Sequence, residues 1–240
     1  RGHTPVIFEK AGKLGGQVSH SDQSRFKWKM ERYLDFLRHQ VEKQGIELRL
    51  NTAATPESIA AEGFDVVIAA TGAHPKAPKI PGAEHAKYNP VNVYDHLSEI
   101  GKRVVVIGST SAPTEAALFL ADNGREVTQV GRQNIVAYDL NPIHQRAYYN
   151  LWVRDFGVTE IHNAVTTEIA PGKVTYRDSD GTSHEILCDD IVAAGGMEPN
   201  SSAAEVFYGC APEFYAIGDC RSLGTMRTAI RDAYTLAIRI

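Results

Sequence analysis

The sequence has few of the features that mark several common protein classes. Its three cysteines, Cys188, Cys210 and Cys220, form no CxxC pair, which disfavours a zinc site, a disulfide framework and a dithiol–disulfide reductase. No apolar run is long enough to span a bilayer, and a net charge of -4 offers no basic surface for nucleic acid or anionic lipid. Neither an initiator methionine nor a signal peptide pattern is visible. We expect a cytoplasmic protein, and we expect a longer polypeptide to begin before Arg1.

Strands and helices alternate along the 240 residues. "TPVIFEK" is typical of a strand, and apolar residues from Phe26 to Gln44 recur at helical spacing until Gly45. The order strand, glycine turn, helix, strand occurs at the start and again from Arg103. This pattern predicts an α/β fold with two doubly wound Rossmann-like dinucleotide-binding domains, of which the second begins near Arg103.

Glu9 and the glycine turn after it suggest a nucleotide site in the first domain. An acid at the end of a strand can accept hydrogen bonds from an adenosine ribose, although many solvated strands also end in Glu. In "LGGQ", Gly15 and Gly16 let the backbone approach a phosphate or ribityl chain, and Gln17 can add a side-chain contact.

Two further strand ends carry small residues. "AATG" at residues 69–72 leaves room for a flat or extended ligand that crosses the sheet edge. "AIGD" at residues 216–219 places the carboxylate of Asp219 beside a tight turn, where it can accept from a ribityl hydroxyl. For Gly218 and Asp219, an ordinary turn is the alternative.

The second domain contains "VVVIGSTSAPTEAALFLADNGREVTQVGR", residues 104–132, which has the layout of a dinucleotide-binding strand, turn and helix. Gly108 holds the first glycine position, but Thr110 and Pro113 replace the other two. Proline is tolerated in a first helical turn, whereas the Thr110 side chain occupies the approach path of a pyrophosphate. Hydroxyls of Ser109, Thr110 and Ser111 could bind phosphate instead, so the sequence leaves open whether this turn works.

The next strand ends "TQVGR". Gly131 stands where an acid would bind the ribose of NAD, and Arg132 follows it. This combination favours a 2′-phosphate and therefore NADPH over NADH, with a solvated loop arginine as the alternative.

Glu9, "LGGQ", "ATG" and "IGD", in this order, resemble the C-terminal half of multi-domain Old Yellow Enzyme-like flavoproteins, a resemblance that covers the whole chain. This group includes 2,4-dienoyl-CoA, enoate and bile-acid reductases, and trimethylamine and histamine dehydrogenases. "AGGMEPN" at 194–200 resembles the second ATG-like element of the family, with Glu198 where a basic residue is usual. The FAD-binding residues implied by the resemblance are Glu9, Lys10, Gly15, Gly16, Gln17, Ala70, Thr71, Gly72, Gly218 and Asp219. The NAD(P)-binding residues implied are Gly108, Ser109, Thr110, Ser111, Glu115, Arg132, Gly195 and Gly196.

The resemblance implies that the first domain is discontinuous in sequence, at 1–98 and 202–240, with the second domain at 99–201. It also implies an oxidoreductase module without a catalytic acid–base residue or a metal ligand of its own. NADPH or NADH would reduce FAD, and electrons would pass through a 4Fe-4S cluster to FMN in an N-terminal barrel of the same polypeptide. The barrel would bind the small-molecule substrate and reduce an activated C=C bond. The family's first strand and its GxGxxG loop would precede Arg1.

Two other functions stay open. The chain could be a structural module that binds ADP or another nucleotide without redox work, as in the trimethylamine dehydrogenase branch. It could also be a free-standing diaphorase that serves a separate acceptor protein. The sequence does not identify the substrate, and it does not determine whether the protein forms a homo-oligomer.

Overall fold

A computed structural model describes residues 2–21, 23–141 and 145–240. The chain divides into two compact units, residues 1–74 with 197–240 and residues 75–196. The strands are β1 (Val6–Phe8), β2 (Glu47–Arg49), β3 (Val66–Ala69), β4 (Ala73–Pro75), β5 (Arg103–Ile107), β6 (Glu126–Val130), β7 (Thr159–Ile161), β8 (Val165–Ala170), β9 (Lys173–Arg177), β10 (Ser183–Leu187), β11 (Asp190–Ala193), β12 (Met197–Pro199) and β13 (Glu213–Ala216). The helices are α1 (Val18–Ser21), α2 (Trp28–Lys43), α3 (Pro56–Glu62), α4 (Ser111–Asp122), α5 (Gln145–Asp155), α6 (Ser201–Glu205) and α7 (Met226–Ala237).

The first unit contains two short parallel strand pairs. Strand β1 pairs with β2, and β3 pairs with β13 in a register that joins Ala69 to Ala216. Its helices have clear terminal signals. Thr55 and Ser58 form a reciprocal capping box at the start of α3, and Thr225 and Thr228 form another at the start of α7.

The second unit is built on a parallel sheet in the order β11-β5-β6-β7. Strand β5 is central and its residues 104–107 are all buried, which explains its unbroken apolar sequence. Helix α4 packs on this sheet and buries Leu118, Phe119 and Leu120. A second, antiparallel sheet has the order β10-β9-β8, and Gly181 with a φ of 84° lies in the hairpin turn that joins β9 and β10.

Residues 75–98 pack within the second unit, whereas the sequence places them in the first domain. The ring of Tyr94 lies 4.8 Å from that of Phe119 on α4, and Tyr88 bridges to Val192 on β11. These buried aromatic residues follow a segment rich in proline and glycine that has the composition of a surface connection. The contacts are distant in sequence, so composition does not predict them.

The α/β class is confirmed, while helix coverage of both faces of each sheet stays a prediction. The helix predicted at 26–44 is a 3₁₀ turn at Arg25–Lys27 followed by α2. The stretch "NPIHQRAYYNLWVRDFG" at 141–157 predicts a further helix, which is α5, and residues 142–144 at its expected start lie outside the described residues. No helix in the described ranges is both long and apolar enough to cross a membrane.

Candidate functional site

Glu9 follows β1 and is tied into its own turn. Its backbone N–H continues the ladder to the carbonyl of Arg49 at 3.0 Å. One carboxylate oxygen accepts from the N–H of Ala11 at 2.8 Å, and the side chain stays partly exposed. Lys10, next to it, is exposed. The structure therefore places an acceptor at the end of a parallel strand, as ribose recognition requires.

The "LGGQ" turn depends on both glycines for different reasons. Gly15 and Gly16 have φ values of 133° and 52°, in the region that glycine adopts most readily. A Cβ on Gly15 would lie 3.0 Å from the Cβ of Ser19, whereas one on Gly16 would meet open space. Gly15 thus serves packing, and Gly16 leaves the backbone open to a ligand. The side-chain amide of Gln17 donates to the carbonyl of Ala73 within the same unit.

Arg38 on α2 supports this turn and carries no sequence signal. Its Nε donates to the carbonyl of Leu14 at 3.0 Å, and its Nη1 pairs with Asp35 at 2.9 Å. Its Nη2 is buried with no hydrogen-bond partner in the part of the chain that the structure describes. Nη2 would lie 3.2 Å from a Cβ on Gly15. Arg38 therefore belongs to the packing that holds the turn in place on the Gly15 side.

Asn200 organises the "ATG" turn. Its side-chain amide donates to the carbonyl of Thr71 at 2.8 Å, and its backbone N–H donates to the carbonyl of Gly72 at 3.0 Å. Its side-chain oxygen lies 2.6 Å from Nδ1 of His74. Ala70 and Thr71 remain exposed, and Gly72 has a φ of 68°. The turn is therefore rigid at its base and accessible at its surface.

Asp219 lies directly beyond β13. The N–H of Ile217 extends the ladder to the carbonyl of Ala69, so "IGD" and "ATG" leave neighbouring parallel strands at the same sheet edge. Gly218 has a φ of 65°, and a carboxylate oxygen of Asp219 accepts from the N–H of Gly224 at 2.9 Å. The structure thus brings together two of the predicted FAD-binding elements.

In the second unit, the 108–113 loop is tightly packed. Gly108 has a φ of 133°, and a Cβ there would lie 2.9 Å from Cγ of Pro113 and 3.1 Å from Cβ of Ala194. Because β5 and β11 pair in parallel, the loop also lies beside the start of the "AGG" segment. Thr110 is the N-cap residue of α4 in an extended conformation. Proline at position 113 is thus compatible with this turn.

Gln129 on β6 connects this loop to the sheet through hydrogen bonds, a role that the sequence did not predict. It is 2% exposed, and its amide donates to the carbonyl of Gly108 at 2.8 Å and to the hydroxyl of Thr114 at 3.0 Å. The Thr114 hydroxyl in turn donates to the carbonyl of Thr110 at 2.9 Å. This chain of bonds holds the loop to the sheet without the second and third glycines.

Asp139 occupies the amino end of α4. One of its carboxylate oxygens accepts from the N–H of Ser111 at 2.7 Å, and the other accepts from the Ser111 hydroxyl at 2.8 Å. The N-terminus of a helix is where dinucleotide-binding folds place a pyrophosphate. In this structure the Asp139 carboxylate of the same chain accepts from the N–H and hydroxyl donors of Ser111 at that end.

Glu115 lies one turn into α4 and accepts a hydrogen bond from the hydroxyl of Tyr149 on α5. Burial, and then the nearby Glu115 carboxylate, raise the pKa of Tyr149 above its usual value. Tyr149 therefore stays a neutral donor that fixes the orientation of Glu115.

The end of β6 has an unusual steric arrangement. A Cβ on Gly131 would overlap the hydroxyl of Ser109, a residue that is 8% exposed. Arg132, the next residue, is exposed. The guanidinium is thus placed at a strand end, where a ribose phosphate would be bound.

Gly195 and Gly196 follow the end of β11, at the sheet edge where the parallel strands β5 and β6 also end. A Cβ on Gly195 would collide with the backbone of residues 76–78, whereas Gly196, with a φ of 86°, would meet open space. The described residues contain no group of three His, Cys, Asp or Glu side chains placed to hold a metal ion.

Parallel strands that end in glycine turns beside an acid, an amide or a hydroxyl, in each of two units, define a nucleotide-binding α/β protein. A model of the pyridine nucleotide-disulphide oxidoreductase family matches residues 57–233. The chain therefore belongs to this family, whose domain binds FAD and NAD(P)H.

Three relatives illustrate the similarity over the whole chain. NADH oxidase from Thermoanaerobacter brockii is 30% identical over 100% of this chain and 38% of its own length. Cinnamate reductase from Clostridium sporogenes is 28% identical over 100% of this chain and 36% of its own length. The solved structure of a 2-naphthoyl-CoA reductase is 31% identical, with a TM-score of 0.94 over 100% of this chain and 36% of that one. The chain thus spans little more than a third of these relatives.

Proposed function

We propose that the chain is an electron-input module, in which the first unit binds FAD and the second unit binds NAD(P)H. The paired ends of β3 and β13, with Asp219 beside the "ATG" turn, are the observation that carries this proposal. The open space around Gly16 supports the first half. The rigid 108–113 loop and the exposed Arg132 support the second half.

The residues of the chain would bind and orient, while the two cofactors supply the hydride donor and acceptor. Glu9 would accept from the adenosine ribose, and Asp219 from a ribityl hydroxyl. Lys10, Gln17, Ala70 and Thr71 would line the same cofactor, together with the glycines at positions 15, 16, 72 and 218.

On the nicotinamide side, Glu115 would face the reacting end of the dinucleotide in an orientation fixed by Tyr149. Arg132 would pair with a 2′-phosphate. Hydroxyls of Ser109, Thr110 and Ser111 would contact the phosphates, and Gly195 and Gly196 would close the far side of the site. NADPH is thus the preferred donor in this proposal.

The proposal extends to the whole polypeptide. An N-terminal barrel with FMN and an iron–sulfur cluster would receive the electrons and reduce an activated C=C bond of a small molecule. Three free cysteines are compatible with a reducing, cytoplasmic location. The names of the relatives, NADH oxidase, cinnamate reductase and 2-naphthoyl-CoA reductase, support both the donor and this type of acceptor.

A structural nucleotide-binding module is the second candidate. The carboxylate of Asp139 at the end of α4 and the Thr110 side chain in the loop favour it, because both oppose a pyrophosphate at that place.

An anaerobic titration of the full-length polypeptide distinguishes the two. Flavin absorbance is followed while NADPH, and then NADH, is added, and dithionite serves as the control that the flavin can be reduced. Rapid bleaching by either nucleotide supports the electron-input module. In an Arg132→Gln variant, a preference for NADPH should fall. Full flavin content that dithionite bleaches but neither nucleotide does would refute electron input and leave the structural module.

A further inference from the structure

Asp139 belongs to a segment that folds back over the amino end of α4. This segment, residues 132–141, follows β6 and is here called the Asp139 segment. Its Tyr138 donates a backbone hydrogen bond of 3.3 Å to the carbonyl of Ser109, and Asp139 binds Ser111 through both carboxylate oxygens. Within the segment, the side chains of Val136 and Ala137 are only 2% and 0% exposed. The segment is therefore anchored on the loop that would receive a pyrophosphate.

The backbone of the segment is strained where it turns toward α4. Ala137 has a φ of 49°, in the left-handed region that residues with a Cβ seldom adopt. The buried position of its methyl group shows that packing holds it there. Asp139 itself is exposed, so its carboxylate can leave Ser111 for solvent without passing through the core.

We propose that Asp139 sets the affinity of the second unit for its nucleotide, by holding the amino end of α4 that the pyrophosphate must take. This inference rests on the proposed nucleotide site. A dianionic pyrophosphate and a carboxylate compete for the same backbone N–H and hydroxyl, and they repel each other. The nucleotide binds the fraction of molecules in which Asp139 has released Ser111, and the apparent dissociation constant rises accordingly.

The expected size of the effect follows from the two hydrogen bonds. Removing a side-chain acceptor from the amino end of a helix, as when an N-cap side chain is lost, costs about 1 kcal/mol, which corresponds to about fivefold in an equilibrium at 25 °C. We therefore expect Asp139→Ala to lower the dissociation constant of NADP⁺ at least about fivefold. Asp139→Asn retains an acceptor for the Ser111 N–H but has no charge, so it should give a smaller gain of the same sign.

The test is calorimetric titration of the full-length, flavin-loaded polypeptide with NADP⁺, which binds without donating a hydride. Asp180→Ala is the matched control, because it removes an exposed aspartate from the β9–β10 turn instead. Circular dichroism melting checks that each variant is folded, and Asp139→Asn carries the test if Asp139→Ala does not fold.

Tighter binding in the Asp139 variants, with Asp180→Ala unchanged, is the expected result. If the wild type binds NADP⁺ and Asp139→Ala binds it equally well or more weakly, the inference is overturned and the proposed function still stands. If neither NADP⁺ nor, in a parallel titration, NAD⁺ binds to the wild type or to any variant, both the inference and the proposed function are overturned.

Discussion

Replacing Gly131 by alanine tests the steric pair that Gly131 forms with Ser109. The added Cβ would overlap the Ser109 hydroxyl and lie 3.0 Å from its Cβ. Gly131 cannot move aside freely, because its N–H donates to Ile161 at 2.9 Å and its carbonyl accepts from Ala164 at 3.0 Å. Overpacking of this kind costs about 1–3 kcal/mol.

The perturbation should be visible as a change in thermal stability. A cost of about 2 kcal/mol lowers Tm by about 4–8 °C in a protein of this size. In a Ser109→Gly background the new methyl group meets no hydroxyl, so the further loss should be about 2 °C or less. Circular dichroism melts of the wild type, Gly131→Ala, Ser109→Gly and the double variant complete the cycle.

An equal loss of Tm in both backgrounds would refute the steric pair, and so would a Gly131→Ala protein that melts with the wild type. If the cycle shows the expected coupling, the absence of an acid at position 131 has a steric cause. That absence then does not by itself identify the nucleotide, and the preference for NADPH depends on Arg132 alone.

Two further predictions concern stability in the second unit. Gly82 and Gly124 have φ values of 77° and 78°, but a Cβ on Gly82 would collide with the carbonyl of Ile169 while one on Gly124 would meet open space, so Gly82→Ala should lower Tm much more than Gly124→Ala. Equal losses would contradict the packing argument. The ion pair with Arg103, at 2.8 Å, holds the pKa of Asp189 below its usual value; its stabilisation is present at neutral pH and is lost as pH falls below about 4 toward the lowered pKa. Arg103→Gln should therefore flatten the decline of Tm between pH 5 and pH 3, and an unchanged decline would count against the pair.

Local signals explain why much of the fold could be predicted from the sequence. The helix from Phe26 onward follows from its apolar spacing, and its end follows from Gly45, whose φ is 62°. The capping boxes and the hairpin turn are likewise encoded within a few residues. The placement of residues 75–98 was not predictable, because Tyr88 and Tyr94 find their partners on β11 and α4, far along the chain.

The candidate site divides in the same way. The neighbouring positions of "ATG" and "IGD" follow from the rule that parallel strands end at one sheet edge, and the structure shows this arrangement. Arg38 and Gln129 were missed, since each is a polar residue without a motif whose role depends on a backbone carbonyl brought to it by folding. Asn200 ends the "AGGMEPN" motif, but its hydrogen bond to the "ATG" turn was not predicted. Asp139 lies 28 residues from Ser111 in an aperiodic segment, so no sequence pattern could connect them.

The presence of Thr110 and Pro113 at two glycine positions of the loop is therefore interpreted differently once the structure is known. A glycine-rich loop admits a phosphate because little side chain stands in the way. Here Pro113 packs on Gly108, and Gln129 and Thr114 fasten the loop to β6, so the loop is formed without those glycines. The Asp139 carboxylate, an exposed group held by two hydrogen bonds, lies at the helix end where our proposal places a phosphate. Because such a group can be displaced and a buried side chain cannot, the altered loop stays compatible with the nucleotide site that we propose.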